Sequence, residues 1–199
     1  MKMLVATNNK GKLREFNDIF GELGIECVSL KDLNIEADVE ENGKTFLENA
    51  KIKAEAFYKM AGIPTVSDDS GLEVDALFGE PGVYSGRYSG GHGNDEENNA
   101  LVLKKLENVE DEKRTARFKS ALYLVIDENT HYYAEGAAEG IILREKRGEN
   151  GFGYDPILYS PELGKSFAEA GSDEKNSVSH RGRAIKALKE KLIKDNIKI

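Results

Sequence analysis

The chain has 199 residues, 39% hydrophobic and 32% charged, with a formal net charge of −8 and one cysteine, Cys27. That length suffices for one well-buried core, and without a composition shift or long linker a single domain over residues 1–199 is expected. The acidic balance argues against nucleic acid or an anionic membrane as partner, and the lone cysteine rules out an intrachain disulfide or a Cys-rich zinc site.

The apolar run near Met1 is too short for a signal peptide or a membrane span, so a cytoplasmic location is expected. Met3–Ala6 reads as a short buried strand and Thr7-Asn8-Asn9-Lys10-Gly11-Lys12 as the turn behind it. A helix follows with Leu13, Phe16, Phe20 and Leu23 on one side; Gly24 closes it and Ile25–Leu30 forms a second strand. This opening predicts an α/β sheet protein, in which ligands sit at the carboxyl ends of strands. Thr45-Phe46-Leu47-Glu48 is a capping-box pattern that starts a helix with Phe46, Ala50, Ala54, Phe57 and Ala61 on its apolar stripe, ended by Gly62 and Pro64.

Thr65-Val66-Ser67 then enters Asp68-Asp69-Ser70-Gly71, read as a polar turn or strand end. Gly79–Gly93 is too long for a plain linker and is expected to be a functional loop. Asn94 caps a helix with Ala100, Leu101, Leu103 and Leu106 as its apolar positions. Ala116–Ile126 is strand-like, Thr130–Ala134 returns beside it as a hairpin, and Ala137–Leu143 offers another short strand with Gly140 as a bulge. A second Gly-rich loop, Gly148–Asp155, precedes Ile157-Leu158-Tyr159. The final helix carries Ala184, Ile185, Leu188 and Leu192 on one face.

Five polar segments carry the candidate chemistry. Thr7–Lys12 can wrap an oxyanion with backbone N–H groups and the Lys12 charge, although an ordinary capped turn explains the same residues. Lys53 falls beside an apolar stripe, where it either snorkels to solvent or is held by carboxylates and phosphate oxygens; Glu41 can offer a hard oxygen to Mg²⁺. In Asp68-Asp69 the neighbouring side chains point different ways, so one can face water or metal while the other makes structural hydrogen bonds. Phe152, between Gly151 and Gly153, can present a flat face to a nucleobase, with Tyr154 and Asp155 beside it; a compact turn pinned by aromatics is the alternative. Lys175, His180, Arg181 and Arg183 concentrate positive charge at a helix start in an otherwise acidic chain.

Thr7–Lys12, Thr45–Ala50 with Lys53, Ser67–Leu72, Pro81–Ser85, Gly151–Pro156 and Lys175 with Ser179-His180-Arg181 together resemble the Ham1-like inosine/xanthosine triphosphate pyrophosphatase family. The pieces occur in family order over nearly the whole chain; Asn8 stands where Gly is common and Ser67 where Ala is common.

The resemblance implies an elongated mixed β-sheet with flanking helices and lobes around a deep nucleotide-binding cleft. It implies hydrolysis of noncanonical purine nucleoside triphosphates (ITP, dITP, XTP) to the monophosphate and pyrophosphate, dependence on Mg²⁺, and a homodimer. It assigns Asp69 as general base and metal contact, Glu41 as metal ligand, Lys53 as an active-site charge and Thr7, Asn8, Asn9, Lys10, Gly11 and Lys12 to the triphosphate. Ser70, Phe152, Gly153, Tyr154, Asp155, Lys175, His180 and Arg181 complete the substrate set it implies. A pyrophosphatase for modified pyrimidines and a nucleotide-binding regulator without catalysis remain the competing readings.

Overall fold

The computed structural model describes residues 2–91 and 93–197. Met1 of the opening segment and His92 of the Gly-rich connection lie outside the described residues. The strands are β1 (Lys2–Val5), β2 (Glu26–Val28), β3 (Thr65–Val74), β4 (Thr115–Val125), β5 (His131–Ile142), β6 (Leu158–Ser160) and β7 (Lys165–Ser166). The α-helices are α1 (Lys10–Phe20), α2 (Phe46–Ala61), α3 (Asp95–Lys105), α4 (Ser172–Val178) and α5 (His180–Lys194). Among the described residues the strands hydrogen-bond in the order β2-β1-β3-β4-β5-β6-β7. The chain forms two compact units: Met1–Asp69, Ser120–Gly136 and Arg181–Ile199 make the first, Ser70–Lys119 and Ala137–His180 the second.

In the first unit β1 pairs in parallel with β2 and with β3, with Met3 opposite Cys27 and Val5 opposite Val66. Alternation along β1 sends Met3 and Val5 to one face and Leu4 and Ala6 to the other. Both faces are covered, as a parallel strand requires. On the first face Phe16 and Phe20 of α1 and Ala184, Ile185, Leu188 and Leu192 of α5 close over Met3, Val5 and Cys27. On the second, Phe57 of α2 packs with Leu4, Ala6 and Leu30. Helix α2 starts where expected: the Thr45 hydroxyl accepts from the Glu48 N–H, and Gly62 ends it in a left-handed conformation at φ +66°. The reciprocal half of the capping box is displaced by one residue, because the Glu48 carboxylate accepts from the Lys44 N–H instead of that of Thr45.

In the second unit β6 pairs antiparallel with β5 and with β7, which makes the sheet mixed. Its core gathers Leu72 and Val74 of β3, Val102 of α3 and Leu106 just after it, Phe118 of β4, Ile142 of β5, and Tyr154, Ile157 and Phe167. Gly82–Arg87 within the Gly79–Gly93 connection winds into a short 3₁₀ turn. Ser85 ties it down: its hydroxyl accepts from the Leu72 N–H and donates to the Gly82 carbonyl, and its carbonyl accepts from the Tyr154 hydroxyl.

Several expectations are corrected. Asp68-Asp69-Ser70-Gly71 is not a turn: β3 runs through it to Val74, because Leu72 and Val74 supply the apolar half of a continuing strand pattern. The two short strands expected between Thr130 and Leu143 are one strand, β5. A Cβ on Gly140 would lie 2.6 Å from the Tyr159 carbonyl oxygen, so glycine there lets β6 approach. Leu23 leaves the apolar face of α1 for a terminal 3₁₀ turn and is exposed. On α3 the exposed Ala100 gives way to Asn98 and Asn99 as buried residues.

Arg114 is the largest fully buried side chain. Its guanidinium donates to the carbonyls of Ile142 (2.8 Å), Leu106 (2.6 Å) and Leu143 (2.7 Å), joining the end of α3 to the end of β5. Arg114→Met keeps most of the volume and removes three buried hydrogen bonds, so a urea-unfolding midpoint should report a loss of about 3 kcal/mol.

Candidate active site

Asp68 and Asp69 of β3 are adjacent in sequence, and the pleat turns them to opposite faces. Asp68 faces α1 and α5 and is buried. Lys12 of α1 lies 2.6 Å from it, the Arg181 Nε of α5 3.0 Å, and the Ser120 hydroxyl of β4 donates to it at 2.6 Å. Arg181 is itself buried and reaches on to Glu15 of α1 at 3.1 Å. Burial alone would push the Asp68 carboxyl up, but Arg181 and Lys12 outweigh it and hold it well below the ordinary 3.8. The same burial, with Arg181 beside it, lowers the Lys12 ammonium against the pull of Asp68.

Asp69 faces α2. The Asn49 amide donates to its carboxylate at 3.1 Å, while the Asn49 carbonyl oxygen accepts from the Gly43 N–H at 2.8 Å. One amide thereby links Asp69 to the segment that carries Glu41. A Cβ on Gly43 would come within 2.7 Å of that oxygen, so the segment closes only around glycine. One turn along α2, Lys53 lies 2.8 Å from Glu41 and donates to the Asp68 carbonyl at 3.4 Å. Lys53 therefore does not snorkel to solvent. Burial raises the Asp69 carboxyl to about 6; Lys53 opposes that shift, Glu41 reinforces it and the Asn49 hydrogen bond opposes it.

No group of three or more His, Cys, Asp or Glu side chains gathers as a metal cage among the described residues. Mg²⁺ needs none, since it binds through one or two carboxylates and completes its shell with water and substrate phosphate. Asp69 and Glu41 fit that chemistry: both are hard oxygen donors, and the Glu41 charge helps to raise the Asp69 carboxyl.

The Thr7–Lys12 turn joins β1 to α1. Asn9 caps α1, accepting from the Gly11 N–H at 2.8 Å and the Lys12 N–H at 3.1 Å, and the Thr7 hydroxyl accepts from the Asn9 N–H. Asn8, Lys10 and Gly11 are exposed. Thus the N-terminal N–H groups of α1 are organised by the Asn9 side chain, and Lys12 is turned towards Asp68.

The second unit holds the other candidates. Ser70 is half-buried on β3. Asp155 is buried, accepting from the Phe152 N–H at 2.9 Å and pairing with Lys175 of α4 at 2.5 Å. The same ammonium sits 4.5 Å above the Phe152 ring centre. Tyr154 is buried with its hydroxyl on Ser85, and Gly153 adopts a left-handed φ of +61°. His180 begins α5 and lies buried with its ring centre 5.1 Å from that of Phe118. Glu15, Asn49 and Ser120 were not singled out from the sequence. Glu15 sits one turn after Lys12, and Asn49 is a polar residue on the edge of an apolar stripe. Those spacings were the available signals; Ser120 offered none.

The Asp68 cluster gives a signed pH expectation. Its folded-state carboxyl is depressed, so its contribution to stability is fully present above the unfolded value of 3.8 and is lost as pH falls below it. Denaturant midpoints should drop steeply below about pH 4, while the raised Asp69 carboxyl acts in the opposite sense, adding stability as pH falls from about 6 towards 4. A Ser120→Ala variant, with one fewer donor to the carboxylate, should begin that drop at the same pH but lose less and level off at higher pH than the parent.

The sequence profile of the Ham1 family matches residues 3–191. The dITP/XTP pyrophosphatase of Clostridium perfringens is 45% identical over 197 residues, covering 96% of this chain and 97% of its own. The Staphylococcus aureus Ham1 protein superposes with a TM-score of 0.89 at 40% identity, covering 98% of this chain and 100% of its own. The nucleoside-triphosphatase / dITP/XTP pyrophosphatase of Mycobacterium abscessus superposes with a TM-score of 0.79 at 46% identity, covering 94% of this chain and 97% of its own. With the family profile spanning residues 3–191 and these relatives matching over nearly the full length of both chains, the chain belongs to the Ham1 family.

Proposed function

We propose that this chain hydrolyses noncanonical purine nucleoside triphosphates, with ITP, dITP and XTP as substrates and the nucleoside monophosphate and pyrophosphate as products. The observation that carries the mechanism is Asp69, a carboxylate with a carboxyl at about 6, held by Asn49 within electrostatic reach of Lys53 and Glu41.

Asp69 is the general base. A water attacks the α-phosphorus, Asp69 takes its proton, and the bond from that phosphorus to the bridging oxygen breaks to release pyrophosphate. Burial makes this carboxylate a stronger base than an exposed one while leaving it mostly ionised at neutral pH. Lys53 and Lys12 supply positive charge as negative charge builds on the phosphate oxygens. Thr7–Lys12 orients the polyphosphate chain. Glu41 and Asp69 would hold Mg²⁺, which when bound would neutralise phosphate charge and withdraw electrons from the reacting group. Ser70, His180 and Arg181 belong to the substrate set, with Arg181 acting from its buried position on Asp68.

Phe152, Gly153, Tyr154, Asp155 and Lys175 recognise the purine. The Phe152 ring offers a stacking face, and Lys175, 4.5 Å above the ring centre, is a donor for a 6-keto oxygen. Adenine's 6-amino group offers that donor no acceptor, which costs a few kcal/mol. The proposal extends to a homodimer as the working assembly and a cytoplasmic setting. No helix among the described residues is long and apolar enough to cross a membrane.

Asp69→Asn should lower kcat by ~10²-fold or more with the fold intact and nucleotide still bound. Turnover close to the parent in pure, folded protein would remove Asp69 from the role of base. A panel of triphosphates resolved by ion chromatography should give pyrophosphate and not orthophosphate, with kcat/KM for dITP and XTP ~10²-fold or more above that for dATP. Preference for adenine or pyrimidine substrates would overturn the substrate assignment.

A further inference from the structure

Helix α3 departs from the usual amphipathic pattern. Asn98 and Asn99 are both 2% exposed, at positions where an apolar residue would pack without any need for partners. Each is committed to a loop. The Asn98 side-chain oxygen accepts from the Ser89 N–H at 2.8 Å. The Asn99 side-chain amide donates to the Gly153 carbonyl at 2.8 Å. One turn earlier on α3, the Asp95 carboxylate accepts from the Gly153 N–H at 2.7 Å. Residues four apart on a helix lie on one face, so Asp95 and Asn99 take the donor and the acceptor of one glycine between them.

That glycine follows Phe152. On its other side Gly151 is closed against Asp155, because a Cβ there would collide with the carboxylate that accepts from the Phe152 N–H. The backbone on both sides of Phe152 is therefore fixed, while the ring itself is 48% exposed. An exposed aromatic on an immobilised backbone is a preorganised contact surface, and such sites depend on the shell that holds them.

We propose that Asp95 and Asn99 are positioning residues for base recognition: by gripping Gly153 they set the height and tilt of the Phe152 ring against the purine. This rests on the reading of Phe152 as the purine's stacking face. A competing account of Asp95 is that its charge merely favours the N-terminus of α3. Asp95→Asn and Asp95→Ala separate the two, since both remove the charge but only alanine removes the acceptor for the Gly153 N–H. For Asn99 the corresponding variant is Asn99→Leu, which keeps the volume and removes the donor.

Steady-state kinetics with dITP, and inhibition by IMP and by inorganic tripolyphosphate, supply the test, with thermal melts to establish folding. Asp95→Ala and Asn99→Leu should each raise KM for dITP and the inhibition constant of IMP by about 10-fold, with kcat within about 2-fold of the parent. Inhibition by tripolyphosphate, which has no base, should not change. Asp95→Asn should stay within about 2-fold of the parent in every constant. If Asp95→Asn and Asp95→Ala behave alike, or if tripolyphosphate and IMP weaken together, the positioning role is wrong. Should Asn99→Leu not fold, the two Asp95 variants decide alone, because Asp95 is exposed and Asn94 caps the helix. Phe152→Ala separates this failure from that of the underlying reading. An unchanged KM for dITP in that variant removes the stacking face itself, whereas a raised KM beside a silent Asp95→Ala overturns only the positioning role.

Discussion

A carboxylate buried on β3 between an ammonium and a guanidinium decides where the other charged groups of the first unit can go. Taking an ion out of water costs several kcal/mol unless partners surround it. Asp68 meets that cost with donors from α1, β4 and α5, namely Lys12, Ser120 and Arg181. The guanidinium, buried in turn, needs the Glu15 carboxylate. Two anions and two cations thus fix the placement of two helices against the strand. The pleat does the rest. With Asp68 committed to one face, Asp69 can only emerge on the other, and a slip of one residue in β3 would exchange their roles.

What Asp69 meets on that face is set by the spacing of α2. Asn49 and Lys53 are one turn apart and flank the small residues Ala50 and Ala54, which let the helix approach β3 closely. The Ser67 hydroxyl donates to the Ala50 carbonyl at that approach. An asparagine can donate to a carboxylate and accept from a backbone N–H at once. Aspartate at the same position would repel Asp69, and leucine would leave both groups unmet. The elevated carboxyl of Asp69 follows from burial partly offset by Lys53 and Asn49. A base tuned in this way draws on packing for its strength and on two polar neighbours for its direction.

Much of this was legible in the residues. The β1–α1–β2 opening, the start and stop of α2, and the pairing of β4 with a returning strand follow from apolar period and end signals. The chemistry-bearing residues were legible chiefly because they sit in a recognisable family order. Three things were hidden, each for a physical reason. Asp68-Asp69-Ser70-Gly71 looks like a turn because its charges are compensated by residues far away in sequence, which no local pattern reveals. Lys53 was ambiguous because a stem along an apolar stripe looks the same whether its head reaches water or a carboxylate. The separate helix α4, which carries Lys175, was merged into a single basic stretch because its seven residues have no apolar stripe to announce them.

The buried asparagines of α3 extend the same logic to the second unit. A loop that became ordered only on binding its ligand would give up about 1–2 kcal/mol of backbone entropy for each residue fixed, which would come directly out of affinity. Fixing the Phe152–Asp155 loop in advance moves that cost into folding, where the large core around Phe118, Ile157 and Phe167 can absorb it. The residues that do the fixing are then polar side chains inside a helix face that packing alone would fill with leucine. Local departures from a helical pattern are expected where a site must be held in place. On α3 the departure falls on the two positions that face Ser89 and Gly153, and the exposed Phe152 ring is the part of that loop left to meet a ligand.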